Sequence, residues 1–353
     1  MVDSGGTLAS ASAGARHGAP TAPAPSAKTG RGLTPVSLLQ TAIARREITV
    51  IVVTIGAIIY FSLRASSFYS TANIIVLVQY VAPIMVIGTG EVLMLVLAEI
   101  DLSAGQVYLT APWFVYWFWT AGLPVGVAII IAMVLSALIG LLNGLFTVRL
   151  GVPSLIVTLG TLYVFFGYVL VQSNYQQVNM PGTTGTFGTI FGIGSWSTIL
   201  WGLLLTLAIW FLLKRTRFGV HTTATGGNYL AAAEAGIPVN RVKVWCFVII
   251  AFVSAWAGIL DAVRIGSMNP GNTGLDIVLT PIVAAVIGGT ALTGGRATVL
   301  GTIIGAVFLG ILEDGLNIIG VNAQWFYFFE GVIILIAMAA NVQLGQLAAR
   351  FRK

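Results

Sequence analysis

Charge is what this sequence has least of. Only 8% of its 353 residues are Asp, Glu, Lys or Arg, and 11 of them are acidic. A soluble globular domain carries about 25% charged residues. With 57% hydrophobic residues and a mean hydropathy of +0.96, a water-facing surface cannot be assembled, and lipid is the solvent that suits the composition. Cysteine is nearly absent too. Cys246 stands alone in an apolar run, which excludes an intramolecular disulfide and reads as a small buried hydrophobe. The two histidines, His17 and His221, are far apart; neither has a second ligand at helical spacing, which argues against a metal site. No GxxxxGK(S/T), GxSxG or HExxH occurs, so the chain has no phosphate-binding loop of that type and no hydrolase signature. The net charge of +6 calls for no nucleic acid, because the basic residues gather at the ends of apolar runs, as topology determinants do.

Residues 1–44 are rich in Ala, Gly, Ser, Pro and Thr and read as a disordered tail that cannot bury enough surface to fold. The first apolar run starts behind this long tail and has no convincing cleavage site after it, so it reads as an uncleaved span. The runs predict about ten transmembrane helices within residues 45–343: Ile48–Leu63, Asn73–Leu93, Leu102–Trp119, Val125–Val148, Ser154–Gln172, Thr198–Leu213, Val242–Val263, Asp276–Leu292, Thr298–Ile318 and Trp325–Ala340. Residues 344–353 form a C-terminal tail. The expected fold class is an all-α integral membrane protein, a polytopic bundle.

The positive-inside rule tests this count. With the N-terminus in the cytoplasm, Arg45, Arg46, Arg149, Lys214, Arg215, Arg217, Arg241, Lys243, Arg296, Arg350, Arg352 and Lys353 fall inside, with Arg16, Lys28 and Arg31 of the tail. Only Arg64 and Arg264 fall outside. An even number of spans with both termini cytoplasmic is favoured, since a miscount by one would spread the basic residues over both faces. The longest external loop is then Ser173–Trp196, uncharged and rich in Gly, Thr, Asn and Gln; it reads equally as a solvated connector or as a docking or gating surface.

Glycines recur at helical spacing, Gly140 with Gly144 and Gly301 with Gly305, small-xxx-small pairs that let helix backbones approach closely. Acids in or near spans call for inspection, because burying an ionisable group in lipid is costly. Glu91 and Glu330 are the two placed deepest. Glu99 and Asp101 sit at a break between spans, where Asp101 either caps the following helix or lines a path. Glu313 and Asp314 are adjacent, point in different directions, and read as helix-end or interface acids in preference to a proton relay.

A polar island, GGNYLAAAEAGIP, lies at Gly226–Pro238 between two basic stretches. Asn228 is a good N-cap, Tyr229–Ala235 favours helix, and Gly236 and Pro238 stop it. The result is a helix of about two turns, ~12 Å long. Its small side chains suit insertion into a cleft on a partner; a plain surface connector is the competing reading.

Five segments together resemble one family. These are EIDLSAG at Glu99–Gly105, NGLFTVRLGVPSLIVTLGT at Asn143–Thr161, GGNYLAAAEAGIPVNRVK at Gly226–Lys243, IGGTALTGGRATVLGTIIGA at Ile287–Ala306 and ILEDGLNIIGV at Ile311–Val321. They are similar to the permease subunit of bacterial ATP-binding cassette importers for monosaccharides, the ribose/xylose/arabinose-type group. Departures are Glu99 and Ala297, where the family often has Gly, and Asp314 at the start of the N-G-L-N element.

The resemblance implies a type II importer-like bundle in the bacterial inner membrane, paired as a homodimer or heterodimer. Cytoplasmic ATPase subunits would grip a coupling helix within residues 227–237, at Gly227, Asn228, Ala231, Ala232, Glu234, Ala235, Gly236 and Ile237. A periplasmic or lipid-anchored sugar-binding protein would deliver substrate outside. Glu99, Asp101, Ser103, Asn143, Thr158, Thr290 and Asn317 are candidates for the translocation path or for helix breaks. The chain itself would be no enzyme and bind no cofactor, ATP and Mg being held by the partner. The rival expectation is an ion-coupled secondary transporter of a small polar solute, which needs a midplane acid or an unwound helix as an ion site.

Overall fold

The structure, a computed structural model, describes residues 46–193, 196–270, 275–322, 325–333 and 335–336. The expected tails at 1–44 and 344–353 lie outside the described residues. Over the described residues the protein is almost entirely helical. Its helices are α1 (Arg46–Arg64), α2 (Thr71–Val96), α3 (Ser103–Thr120), α4 (Val125–Arg149), α5 (Ser154–Ser173), α6 (Ser197–Arg215), α7 (Arg217–Gly227), α8 (Tyr229–Glu234), α9 (Val239–Ile265), α10 (Leu275–Ile287) and α11 (Val299–Ile318), with further helix at 325–333. Six of them, α2, α4, α5, α6, α9 and α11, are long and apolar enough to cross a membrane.

Helix α9 is the axis of the packing. In its most apolar stretch 78% is buried, against 17% for α5, so α9 is enclosed by protein while α5 turns most of its surface outward. It packs on α4, α3 and α2. A Cβ on Gly140 would lie 2.3 Å from the Phe247 carbonyl oxygen, and one on Gly144 would lie 2.9 Å from the Val244 Cα; the small-xxx-small pair of α4 is what lets these backbones touch. Gly301 and Gly305 do the same for α11 against Gly288 and Ala284. Cys246 is buried in α9.

Three places differ from the sequence expectation. The span expected over Asp276–Leu292 stops at Ile287, and the chain runs irregularly to Thr298. Gly289, Gly294 and Gly295 there have φ of +99°, +84° and +76°, a conformation that apolarity alone does not reveal. The stretch before the polar island, to which the sequence reading gave no element, is the helix α7. Its Gly, Thr and His content gives poor propensity, but Thr216 caps it by accepting from the Gly219 N–H at 3.3 Å, and α6 and α9 pack on it. The loop Ser173–Trp196 contains secondary structure of its own. Val178 and Asn179 pair antiparallel with Met268 and Ser267 after α9, and Gly185–Gly188 and Thr189–Ile193 form short helical turns, the second of which packs on α9.

Candidate functional site

The irregular chain between α2 and α3 brings together most of the polar residues expected to matter. Non-helical backbone inside an apolar bundle needs partners for its N–H groups. Here α5 supplies them: the Ser154 hydroxyl accepts from the Ile100 N–H at 3.3 Å and the Thr158 hydroxyl from the Leu102 N–H at 3.1 Å. Asp101 Oδ1 accepts from the Ser103 N–H at 2.9 Å and from its hydroxyl at 2.5 Å, so the carboxylate caps α3. Asn143 of α4 extends the chain of bonds, donating to Ser103 Oγ at 2.8 Å and accepting from Thr161 at 2.6 Å. Asp101, Ser103, Asn143 and Thr158 are all buried. Both oxygens of Glu91 and Oδ2 of Asp101 are buried with no hydrogen-bond partner among the described residues.

Helix α8 stands at the same end of the bundle. Asn228 Oδ1 accepts from the Ala231 N–H at 3.1 Å, the N-cap geometry. At its other end Gly236 has φ +82°. The Gly236 N–H donates to the Ala233 carbonyl and the Ile237 N–H to the Ala232 carbonyl, each at 3.0 Å, the Schellman pairing that stops a helix. Ile237 is half-buried and packs against the main core. Gly227, Asn228, Ala231, Glu234, Ala235 and Gly236 are exposed, whereas Ala232 faces inward and is buried. Leu230 is 71% exposed, an apolar side chain that the chain itself does not cover.

Two contacts tie α8 to the bundle. Gly226 sits so close to the end of α2 that a Cβ there would lie 1.6 Å from the Val96 carbonyl oxygen. That oxygen accepts from the Gly295 N–H at 2.8 Å, so the segment after α10 joins the same junction. In that segment Thr290 is buried, and its hydroxyl accepts from the Thr298 N–H at 3.4 Å. Lys243 of α9 makes the second tie: it ion-pairs with Glu99 at 2.5 Å and lies 5.4 Å from the Tyr229 ring centroid. Tyr229 also donates to Asn240 Oδ1 at 3.0 Å. Glu99, Asp101, Ser103, Asn143, Thr158 and Thr290 thus share one end of the molecule with α8. Asn317 does not; it is exposed at the far end of α11.

Sequence reasoning missed a second polar group, toward the other end of α9. Asp261 Oδ2 accepts from the Tyr108 hydroxyl at 2.7 Å, and Oδ1 accepts from Arg264 Nε at 2.8 Å and Nη2 at 2.7 Å. Arg264 Nη1 reaches Gln79 Oε1 at 3.4 Å. These groups line a cavity of about 200 Å³ together with Tyr80 and Asp276. Gly258 makes it possible: a Cβ there would lie 1.9 Å from the Tyr108 carbonyl oxygen, so α3 lies directly on α9 one turn below Asp261. The signal in the sequence was an acid and a base three apart in a long apolar helix. Two further acids act as ties between helices. Asp314 Oδ2 accepts from Asn73 at 2.8 Å and Glu330 Oε1 from Thr280 at 2.6 Å.

The molecule is a polytopic helical bundle with polar, hydrogen-bonded breaks and an exposed capped helix at one end and a buried polar cluster toward the other, an arrangement that suits a membrane transport protein. Residues 71–338 match the family described as the permease component of the branched-chain amino acid transport system, and the chain belongs to that family. It is 35% identical over 306 residues to the xylose/arabinose import permease protein XylH of Sulfolobus acidocaldarius, covering 85% of each chain. It is 34% identical over 285 residues to the ribose import permease protein RbsC of Bacillus subtilis, 80% of this chain and 88% of that one. It is 29% identical over 313 residues to the fructose import permease protein FrcC of Rhizobium meliloti, 86% of each. No solved structure matches the chain.

Proposed function

We propose that this chain is the membrane-spanning subunit of an ATP-binding cassette importer for a monosaccharide, a pentose or hexose. Partner ATPase subunits drive it, and a substrate-binding protein delivers the sugar. The observation that carries the reading is α8: a capped helix with an uncovered Leu230, joined through Lys243 to the buried α2–α3 break, in a chain without a nucleotide-binding loop. The names of the relatives supply the sugar. ATP and Mg belong to the partner, and this chain contributes no catalytic group.

The finer architecture belongs to the same proposal. About ten spans in a type II arrangement, with both termini in the cytoplasm, put α8 on the cytoplasmic face, where an ATPase cleft receives it. Two such subunits, identical or closely related, enclose the path. On this reading the sugar enters past the Asp261–Arg264 cavity and leaves past the Asp101–Asn143 cluster. Its hydroxyl groups exchange water for the Asp, Arg, Tyr and Asn side chains, which offer both donors and acceptors.

Uptake of radiolabelled pentoses and hexoses into proteoliposomes tests the reading. The expected result is uptake only when ATPase, ATP and binding protein are present. Uptake by this chain alone, driven by a proton or sodium gradient, would overturn it in favour of the ion-coupled alternative, with the unpartnered Glu91 as the first residue to examine.

A further inference from the structure

A groove of about 640 Å³ runs along the outer surface between α4 and α9. Leu138, Leu141 and Leu145 of α4 and Val244, Trp245 and Val248 of α9 line it, and Arg149 and Arg241 stand at the end nearest α8. No acidic residue lines it. Both arginines are exposed, and neither has a hydrogen bond, ion pair or ring contact among the described residues. Every other feature of the groove is apolar except Asn240.

We propose that this groove holds one anionic phospholipid, its acyl chain along the α4–α9 seam and its phosphate between Arg149 and Arg241. Three observations fit that occupant. The groove extends on α4 from Arg149 back to Val134, roughly 22 Å at 1.5 Å per residue, enough to take an acyl chain through one leaflet of ~15 Å. Trp245 is 57% exposed and lies one turn from Arg241, where an indole favours the headgroup boundary. Two unpaired guanidiniums at the mouth of an apolar groove match a phosphate in charge and donor geometry.

A second copy of the chain is the occupant this charge disfavours. Membrane subunits related by a twofold axis along the membrane normal stand at equal height. Groove against groove would then set Arg149 and Arg241 against their own copies, with no acid to separate them. The proposal needs only that the chain is embedded in a membrane; it does not depend on what is transported.

The test is native mass spectrometry of the permease complex released from nanodiscs containing equal phosphatidylglycerol and phosphatidylcholine. Retained phosphatidylglycerol is expected in roughly ten- to thirtyfold excess, as two basic contacts supply. The variant Arg149→Gln/Arg241→Gln should lose the excess, while Lys214→Gln/Arg215→Gln, at the end of α6, should keep it. Leu141→Trp, which fills the groove and leaves the charges, should reduce bound lipid of both kinds. Equal retention of the two lipids by the unaltered protein, or an undiminished excess in the Arg149/Arg241 variant, overturns the proposal. So does an efficient disulfide between two copies carrying Leu138→Cys. If the arginine variant does not fold, a photoreactive phosphatidylglycerol analogue decides on the unaltered protein: labelling on α4 and α9 at the groove supports the site, and labelling confined elsewhere removes it.

Discussion

The Lys243 ammonium lies 2.5 Å from the Glu99 carboxylate, binding α9 to the break between α2 and α3. Side-chain exposures of 20% and 15% place this pair where solvent screens it only in part. The same ammonium also lies over the Tyr229 ring, so one side chain contacts both α8 and Glu99.

Lys243→Met should therefore weaken transport more than assembly. Removing the cation leaves Glu99 half-buried without its partner, at a cost of about 1–3 kcal/mol. Sugar taken up per ATP hydrolysed should fall at least fivefold while the ATPase still co-purifies. The exchanged pair Glu99→Lys/Lys243→Glu should recover part of the coupling, but without the cation over Tyr229 it should not recover all of it. Unchanged uptake per ATP in Lys243→Met would remove the link.

Adjacent glycines should respond in opposite ways. A Cβ on Gly226 meets the Val96 carbonyl oxygen at 1.6 Å, whereas one on Gly227 meets nothing within 4 Å. Gly226→Ala should push α7 off the end of α2, lower the melting temperature and abolish uptake, and Gly227→Ala should leave the melting temperature unchanged. Parallel uptake assays and thermal melts of the two variants read the difference directly.

The exposed and buried faces of α8 should also separate. Leu230→Asp or Glu234→Lys changes the surface offered to a partner and should reduce co-purification of the ATPase, leaving the melting temperature of the isolated permease within a degree or two. Ala232→Phe acts differently, because Ala232 is buried against its own chain. Overpacking there should cost about 1–3 kcal/mol and lower the melting temperature itself.

At the cavity, Asp261→Leu strips Arg264 of its carboxylate inside the bundle, which costs about 3–5 kcal/mol. Little folded protein should survive size-exclusion chromatography. Asp261→Leu/Arg264→Met removes both charges and should restore folding but not uptake. A double variant that transports normally would place the sugar path elsewhere.

Much of the fold was legible. Apolar runs located most of the long helices between Arg46 and Ile318, and Gly spacing marked where they pack closely, because in lipid a spanning segment satisfies its own backbone hydrogen bonds as helix. Asn228, Gly236 and Pro238 announced α8, since capping is local chemistry. Three things escaped. The α7 helix forms from residues of poor propensity because α6 and α9 bury it. The unwinding after Ile287 depends on glycine φ angles that an apolar run conceals. Asp261 was not among the acids the sequence singled out; only the fold brings Tyr108, 153 residues away in sequence, to its carboxylate.

The sequence by itself determined that this is a polytopic helical membrane protein, and where the short capped surface helix α8 starts and stops. Those are matters of composition and of contacts within a few residues. The tertiary structure decided which polar residues meet. Lys243 joins Glu99 across 144 residues, Gly226 meets Val96, and Asn143 meets Ser103, while Asn317 stands apart at the opposite end. Such meetings depend on how closely glycine faces let helices approach, and a linear pattern carries the period of a face but not the identity of what lies against it.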